Sequence, residues 1–204
     1  MPHPAIAIIE RRISANLFDP DYQMSVKEIK ELVRLATRAP SAYNLQNWRF
    51  IAVQSDEARN ELRKMAYDQA KVSDAAVTFI ICGQLPDHAR LAVHLLPFVA
   101  SGHMSQATVS AWGDAARSQY SDPRIARDEA IRSATLGAAT MMIAAEAMGL
   151  VSGPMVGFNA DAVARRFSLR PDEVPVMLLS VGRAAADNWP QKPRRPLLEV
   201  LQIS

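Results

Sequence analysis

Apolar residues recur along the chain in blocks that alternate between helical and strand periods. In Pro4–Phe18, Ile6, Ile9 and Ile13 share a face, which predicts a first helix with Arg11 and Arg12 near its C-terminal end. Ser25–Thr37 is the second helix: Ser25 and Glu28 form a capping box, and Ile29, Leu32, Val33 and Ala36 make a buried stripe. A strand follows through Phe50-Ile51-Ala52-Val53-Gln54. Then come a helix over Asp56–Tyr67 capped by Ser55 and a second strand, Ala76–Cys82. Asp87–Trp112 reads as mostly helical. Asp128–Met148 is the strongest helix, built on Ile131, Thr135, Ala138, Ala139, Met142, Ile143, Ala145 and Ala147 and stopped by Gly149. Small residues along it let backbones approach closely, and nothing polar runs along it, so it reads as scaffold. Ala160–Phe167, capped by Asn159, is a short helix, and Val174–Val181 is a strand ended by Gly182. Helices alternating with three or four strands predict an α+β or α/β sandwich in one domain over residues 1–204. From about residue 186 a Pro-rich basic segment is expected to stay extended.

Composition narrows the function classes. The chain has 204 residues, is 49% hydrophobic and 22% charged, and carries a net charge of +2. That balance is too even for nucleic acid or an acidic membrane surface to be the main partner. Its one cysteine, Cys82, lies within an apolar run and reads as a small core residue. Glu10-Arg11-Arg12 interrupts the N-terminal apolar stretch, so no signal peptide is expected there. No run reaches the ~20 apolar residues of a membrane span, and a cytoplasmic protein is the default. His88, His94 and His103 are separated by five and eight residues, which is no facial metal pattern.

The chemistry gathers at Arg38–Phe50. Pro40 biases Ala39 away from helical dihedrals and should end the second helix. Ser41, Tyr43, Asn44, Gln46 and Asn47 follow, all neutral hydrogen-bonding side chains with no group that titrates near pH 7. From the residues alone, this is either an ordinary turn rich in capping residues or a hydrogen-bonding edge for a planar heterocycle. Amides offer donors and acceptors side by side, as the rim of a flavin or nucleobase requires.

Ala39-Pro40-Ser41-Ala42-Tyr43-Asn44-Leu45-Gln46-Asn47-Trp48 resembles the flavin-binding segment of the FMN-dependent nitroreductase family. The usual form there is Ala-Pro-Ser, a small residue, any residue, Asn, any residue, Gln, Pro, Trp, so Asn47 stands in place of a proline. Three further segments resemble the same family. Arg11-Arg12-Ile13-Ser14, counted back from Phe18, puts Arg12 and Ser14 on phosphate-binding positions, an Arg fork plus a hydroxyl. Asn16 falls where a basic residue is general. Gly149–Phe158 resembles the turn that presents Pro154, Met155, Val156 and Gly157 to the flavin, with Val156 standing where Glu is frequent. A backbone N–H at that position is directed at flavin N5. Lys71 matches, by its spacing to Asp74-Ala75, a lysine at the flavin pyrimidine, although Asp68 replaces an amide. The basic tail before Leu197-Leu198-Glu199-Val200 offers Lys192, Arg194 and Arg195 to the phosphate.

The resemblance implies an α+β, three-layer sandwich with a mixed sheet flanked by helices. It also implies an obligate homodimer with FMN at the interface. Arg12, Ser14 and the tail cations would come from one chain, and Pro40, Ser41, Ala42, Asn44 and Gln46 from its partner. The long Ala-rich helix is the expected dimer surface. The implied chemistry is ping-pong: NAD(P)H reduces the flavin, leaves, and a small electron acceptor such as a nitroaromatic or quinone takes its place. Residues 87–127 would cover the active site. Two other readings stand beside this one: a non-catalytic flavin-binding or sensing module, and a nucleic-acid adaptor using Arg11, Arg12, Arg194 and Arg195.

Overall fold

The computed structural model describes residues 3–204. Its centre is a four-stranded antiparallel sheet of β1 (Trp48–Val53), β2 (Val77–Gln84), β3 (Val151–Met155) and β4 (Glu173–Gly182), in the order β1-β2-β4-β3. β2 is buried along nearly its whole length because it alternates between two cores. Val77, Phe79 and Ile81 face the cluster formed with Leu32, Ala36, Ala134, Ala138 and Met141. Ile80 and Cys82 face the opposite cluster with Leu62, Val72 and Val163. Helices α2 (Val26–Ala36) and α7 (Pro123–Ala147) therefore cover one face, and α3 (Asp56–Met65), α4 (Lys71–Asp74) and α8 (Ala160–Arg166) cover the other. This is the expected three-layer α+β sandwich. The strands pair antiparallel where a mixed sheet was expected, and the one parallel pairing is an isolated bridge between Ser14 and Ser152.

That bridge explains a second difference. The first helix, α1, covers only Pro4–Arg11 and stops seven residues before Phe18, with Arg12 extended at ψ 129°. Residues 12–18 instead run beside β3: the Ala15 N–H donates to the Ser152 carbonyl at 2.9 Å, and Ala15 and Phe18 are buried. Gly153 permits this, since a Cβ there would fall 2.4 Å from the Ala15 carbonyl oxygen. β3 was not expected as a strand: the sequence there reads as a Gly149-Leu150 turn leading to Pro154. Proline is tolerated there because β3 is an edge strand.

The long helix begins five residues before the expected Asp128, at Pro123, with Asp122 as N-cap and Pro at the first position. It spans 25 residues, about 37 Å. It is not free of polar groups either. Glu129 is 2% exposed and accepts from the Ser133 hydroxyl at 2.8 Å while pairing with Arg132. The expected helical region 87–112 resolves into α5 (Leu91–Ala100) and α6 (Gln106–Gln119), which share a separate cluster with Leu45.

Two contacts fix the sheet end at which β1 begins. Gly83 of β2 lies against α7 so closely that an added Cβ would sit 2.3 Å from the Ala130 carbonyl oxygen. Glu173, its side chain fully buried, accepts from Arg49 on β1 at 2.8 Å, Gln84 on β2 at 3.3 Å and the Arg170 N–H at 2.9 Å. Burial alone would raise its pKa. The Arg170 N–H, the Arg49 guanidinium and the Gln84 amide outweigh that and hold it below the ordinary glutamate value.

Gly83→Ala is expected to destabilise the fold by about 3 kcal/mol, because the clash is with backbone and no rotamer relieves it; urea denaturation measures this. Glu173→Gln should cost about 2 kcal/mol at neutral pH. The folded pKa of Glu173 is depressed, so its contribution is complete above the ordinary carboxylate value and is lost as pH falls through the folded one. The Tm gap between wild type and Glu173→Gln should stay constant from about pH 8 to about pH 6 and close below about pH 4. A gap that persists in acid would remove the carboxylate from this role.

Candidate functional site

The residues singled out in the sequence fall into two groups at opposite edges of the sheet. The first lies beside β3. Ser14 is exposed on the segment that pairs with Ser152, and Arg12 precedes it, donating to the Ile13 carbonyl at 3.0 Å; among the described residues its guanidinium makes no other hydrogen bond or ion pair. The C-terminal segment is zipped onto this stretch. The Asn188 side chain accepts from the N–H groups of Asn16 (2.9 Å) and Leu17 (3.1 Å) and donates to the Leu17 carbonyl at 2.7 Å. Gln191 donates to the Arg12 carbonyl at 3.0 Å. A cavity of about 450 Å³ opens at Asn16, Leu17, Asp187, Asn188 and Trp189.

Lys71 joins this group by donating to Asn16 Oδ1 at 3.3 Å. Burial pulls its ammonium pKa below the ordinary lysine value, and the nearby Lys192 adds to the effect. Lys192 stands 5.6 Å from the Trp189 ring centre, and its carbonyl accepts from Arg194 at 2.9 Å. Among the described residues, Arg12, Lys71, Lys192 and Arg194 make no ion pair with a carboxylate. Arg11 and Arg195 do: Arg11 binds Glu146 at 2.7 Å and Arg195 binds Glu199 at 2.9 Å, so these two are already engaged.

At the end of β3, Pro154 and Met155 pair with Leu179 and Leu178, and Val156 is 75% exposed. The Val156 N–H has no backbone partner among the described residues. The adjoining Gly157 carbonyl accepts from the Gln69 amide at 2.9 Å. Sequence reasoning tested Asp68 for an amide at this corner. Asp68 pairs with Arg63 at 2.7 Å, and the Gln69 amide one residue on donates to the Ala66 and Gly157 carbonyls. Asn188 and Gln191 were also missed, and an amide three residues after another in a Pro-rich tail was their only signal.

The second group is loop 40–47, which leads into β1. Tyr43, Asn44 and Gln46 all have positive φ, at 52°, 56° and 51°. The Ser41 hydroxyl accepts from the Gln46 N–H at 2.9 Å and closes the turn. Asn47 is buried, donates to the Gln84 carbonyl at 3.0 Å, and so pins the loop to the end of β2. Asn44 and Gln46 are exposed, and neither side-chain amide is hydrogen-bonded among the described residues. Exposed Pro40 and half-buried Ser41 and Ala42 form the approach to them.

The groups do not meet. β1 and β3 are the outer strands, separated by β4 and β2, and three inter-strand spacings amount to about 14 Å. Among the described residues no hydrogen bond or ion pair joins loop 40–47 to the cation group. Neither group contains an acid/base pair or a nucleophile with an activating base. Among the described residues no three His, Cys, Asp or Glu side chains gather to hold a metal ion, and no helix is long and apolar enough to cross a membrane. What the arrangement offers is recognition. One edge carries unneutralised cations and a free N–H, and the other carries free amides. That donor set fits a group with a phosphate at one end and a heterocyclic rim at the other.

Comparison with known proteins agrees with this chemistry. The chain is 32% identical over 193 residues to YodC of Bacillus subtilis (strain 168), assigned as a NAD(P)H nitroreductase, covering 95% of each protein. It is 29% identical over 173 residues to a NADH dehydrogenase of Thermus thermophilus, covering 85% of this chain and 83% of that one. A protein of Exiguobacterium sibiricum assigned as a nitroreductase, solved in complex with FMN, superposes with a TM-score of 0.90 at 26% identity, covering 100% of this chain and 99% of that one. The family model described as "Nitroreductase family" matches residues 9–183, and the chain belongs to that family.

Proposed function

We propose that the protein is an FMN-dependent NAD(P)H oxidoreductase that works as a homodimer, with each flavin held between the two chains. The observation that carries this reading is the cluster of Arg12, Lys71, Lys192 and Arg194, none of which has a carboxylate partner among the described residues. Lys71 and Lys192 oppose each other's charge. An anion between them would relieve that repulsion. A phosphate monoester fits it, and the FMN complex of the Exiguobacterium relative and the NAD(P)H in the name of YodC supply the chemical class.

Arg12, Ser14 and the tail cations Lys192 and Arg194 would hold the phosphate. Lys71 would face the pyrimidine carbonyls, where a cation stabilises negative charge developing on reduction. The Val156 N–H would meet N5, with Gln69 fixing the Gly157 carbonyl behind it. Pro40, Ser41, Ala42, Asn44 and Gln46 would close over the ring rim from the partner chain. When bound, FMN supplies the redox chemistry, accepting hydride from NAD(P)H and passing electrons to a nitroaromatic, quinone or similar acceptor in a ping-pong sequence. The chain's own part is to bind, orient and tune.

The dimer is supported by apolar surface that a lone chain leaves in water. Leu197, Leu198, Val200, Leu201 and Ile203 of the tail are 57–95% exposed, and Ile6 and Ile9 of α1 are 49% and 58% exposed. A contiguous run of this kind marks an interface. The two edges of one sheet also cannot share a single ring rim, whereas two chains can each lend one edge.

The purified protein is expected to be yellow, with one noncovalent FMN per chain that NADH or NADPH bleaches under anaerobic conditions. A colourless protein that takes up no added FMN would end this reading. A yellow protein that neither nucleotide bleaches would be a binding or sensing module. Arg12→Ala should weaken FMN binding by about 1.5–3 kcal/mol, the scale of a charge-assisted hydrogen bond. Lys27→Ala, on the exposed start of α2, should change nothing in the same titration, and equal losses would move the phosphate elsewhere.

A further inference from the structure

Loop 40–47 is built in an unusual conformation and held from one side. Tyr43, Asn44 and Gln46 lie in the left-handed region, with Leu45 between them helical at φ −64°. Asparagine visits that region readily. Tyrosine does so reluctantly, because its Cβ crowds the following carbonyl. Backbone of this kind persists only where its surroundings over-determine it.

Those surroundings come from α6. The Tyr43 ring meets the ring of Trp112 edge-on with centroids 5.9 Å apart, and that of Tyr120 at 6.2 Å. Its hydroxyl donates to Gln119 Oε1 at 2.8 Å. Tyr120 lies beside Glu129: burial, the Glu129 carboxylate and Tyr43 push its pKa up to about 12. Next to it, Leu45 is buried among Leu91, Leu95, Val109 and Ala116. Tyr43 and Leu45 therefore face the α5–α6 pair, and the residues that alternate with them, Asn44 and Gln46, face solvent with free amides.

We propose that Tyr43 is a positioning residue for the flavin: clamped by Trp112, Gln119 and Tyr120, it holds loop 40–47 in the left-handed form that presents the Asn44 and Gln46 amides. This rests on the FMN reading above. It assigns a role to a position at which the family segment admits any residue, and it makes α6 a determinant of flavin affinity through the loop. If the clamp is lost, only part of the population holds the binding-competent loop, and the apparent Kd rises by the inverse of that fraction.

The test is titration of apoprotein with FMN, read by quenching of flavin fluorescence, alongside thermal denaturation of each apoprotein. Tyr43→Asn keeps a residue that accepts the left-handed backbone and removes the clamp. Its Kd is expected to rise about tenfold. Tyr43→Phe keeps the ring and should stay within about threefold of wild type. Trp112→Ala should reproduce the Tyr43→Asn effect, and the double variant should be no weaker than either single one, since both remove the same contact. Met141→Ala, in the core beneath α7 and away from both groups of binding residues, should lower Tm and leave Kd unchanged. Tyr43→Asn binding like wild type, Met141→Ala weakening FMN equally, or additive losses from Tyr43 and Trp112 would each overturn the proposal. A wild-type apoprotein that takes up no FMN is a different failure: it removes the cofactor reading itself, and the proposal with it.

Discussion

A pleated sheet is stiff across its strands, and here that stiffness keeps two sets of binding groups apart. Loop 40–47 is anchored to β1 and residues 154–157 to β3, the two edges of the sheet. The proposed site brings both sets onto one fused ring, yet within a chain the loop amides sit about 14 Å across the sheet from the β3-edge donors. No local adjustment of a loop closes that gap while β2 and β4 stay paired. The constraint explains why each half looks unfinished alone, with cations lacking anions at one edge and amides lacking partners at the other. It also explains why so much of the tail is apolar and exposed. In the homodimer proposed above, a second copy related by a two-fold axis would answer these together.

What keeps the edges where they are is a small number of buried polar and steric contacts. Glu173 ties β1, β2 and the approach to β4 at one sheet end. Gly83 lets α7 rest on the backbone of β2, and Gly153 lets residues 12–18 lie along β3. The last of these carries Arg12, Ser14 and Asn16, so a single missing side chain in β3 places half of the proposed cofactor site. Above the other edge, Glu129 sits buried in α7 with Ser133 and Arg132, beside the aromatic group that clamps Tyr43.

The parts of this arrangement that the sequence shows are those written locally. Ser25 with Glu28, Ser55 and Asn159 are caps whose partners lie within three residues, and all three cap the expected helices. The run Val77–Cys82 is apolar at every position but Thr78, which is what a strand buried on both faces requires. The misread parts depend on distant partners. Helical periodicity through Ile13 says nothing about Ala15 pairing with Ser152, so α1 seemed longer than it is. The start of α7 was missed although Asp122-Pro123 is a local signal, because the apolar stripe dominated the reading. Glu129 was not singled out, since nothing in the sequence places Tyr120 next to it. For the candidate site, family resemblance located Arg12, Ser14, Lys71, Lys192 and Arg194 together. Only the structure shows that Arg11 and Arg195 are paired elsewhere and that the Gln69 amide holds the Gly157 carbonyl.

The central claim is that each flavin site is assembled from two chains. It is tested most directly by a heterodimer, purified through two different tags, of one Arg12→Ala chain and one Asn44→Ala chain. If the halves come from different chains, one site receives both lesions and the other receives none. FMN titration should then show one site of wild-type affinity and one that is severely weakened. If each chain serves its own flavin, both sites carry one lesion, and the titration will show two equally weakened sites with no wild-type phase. That result would contradict the account.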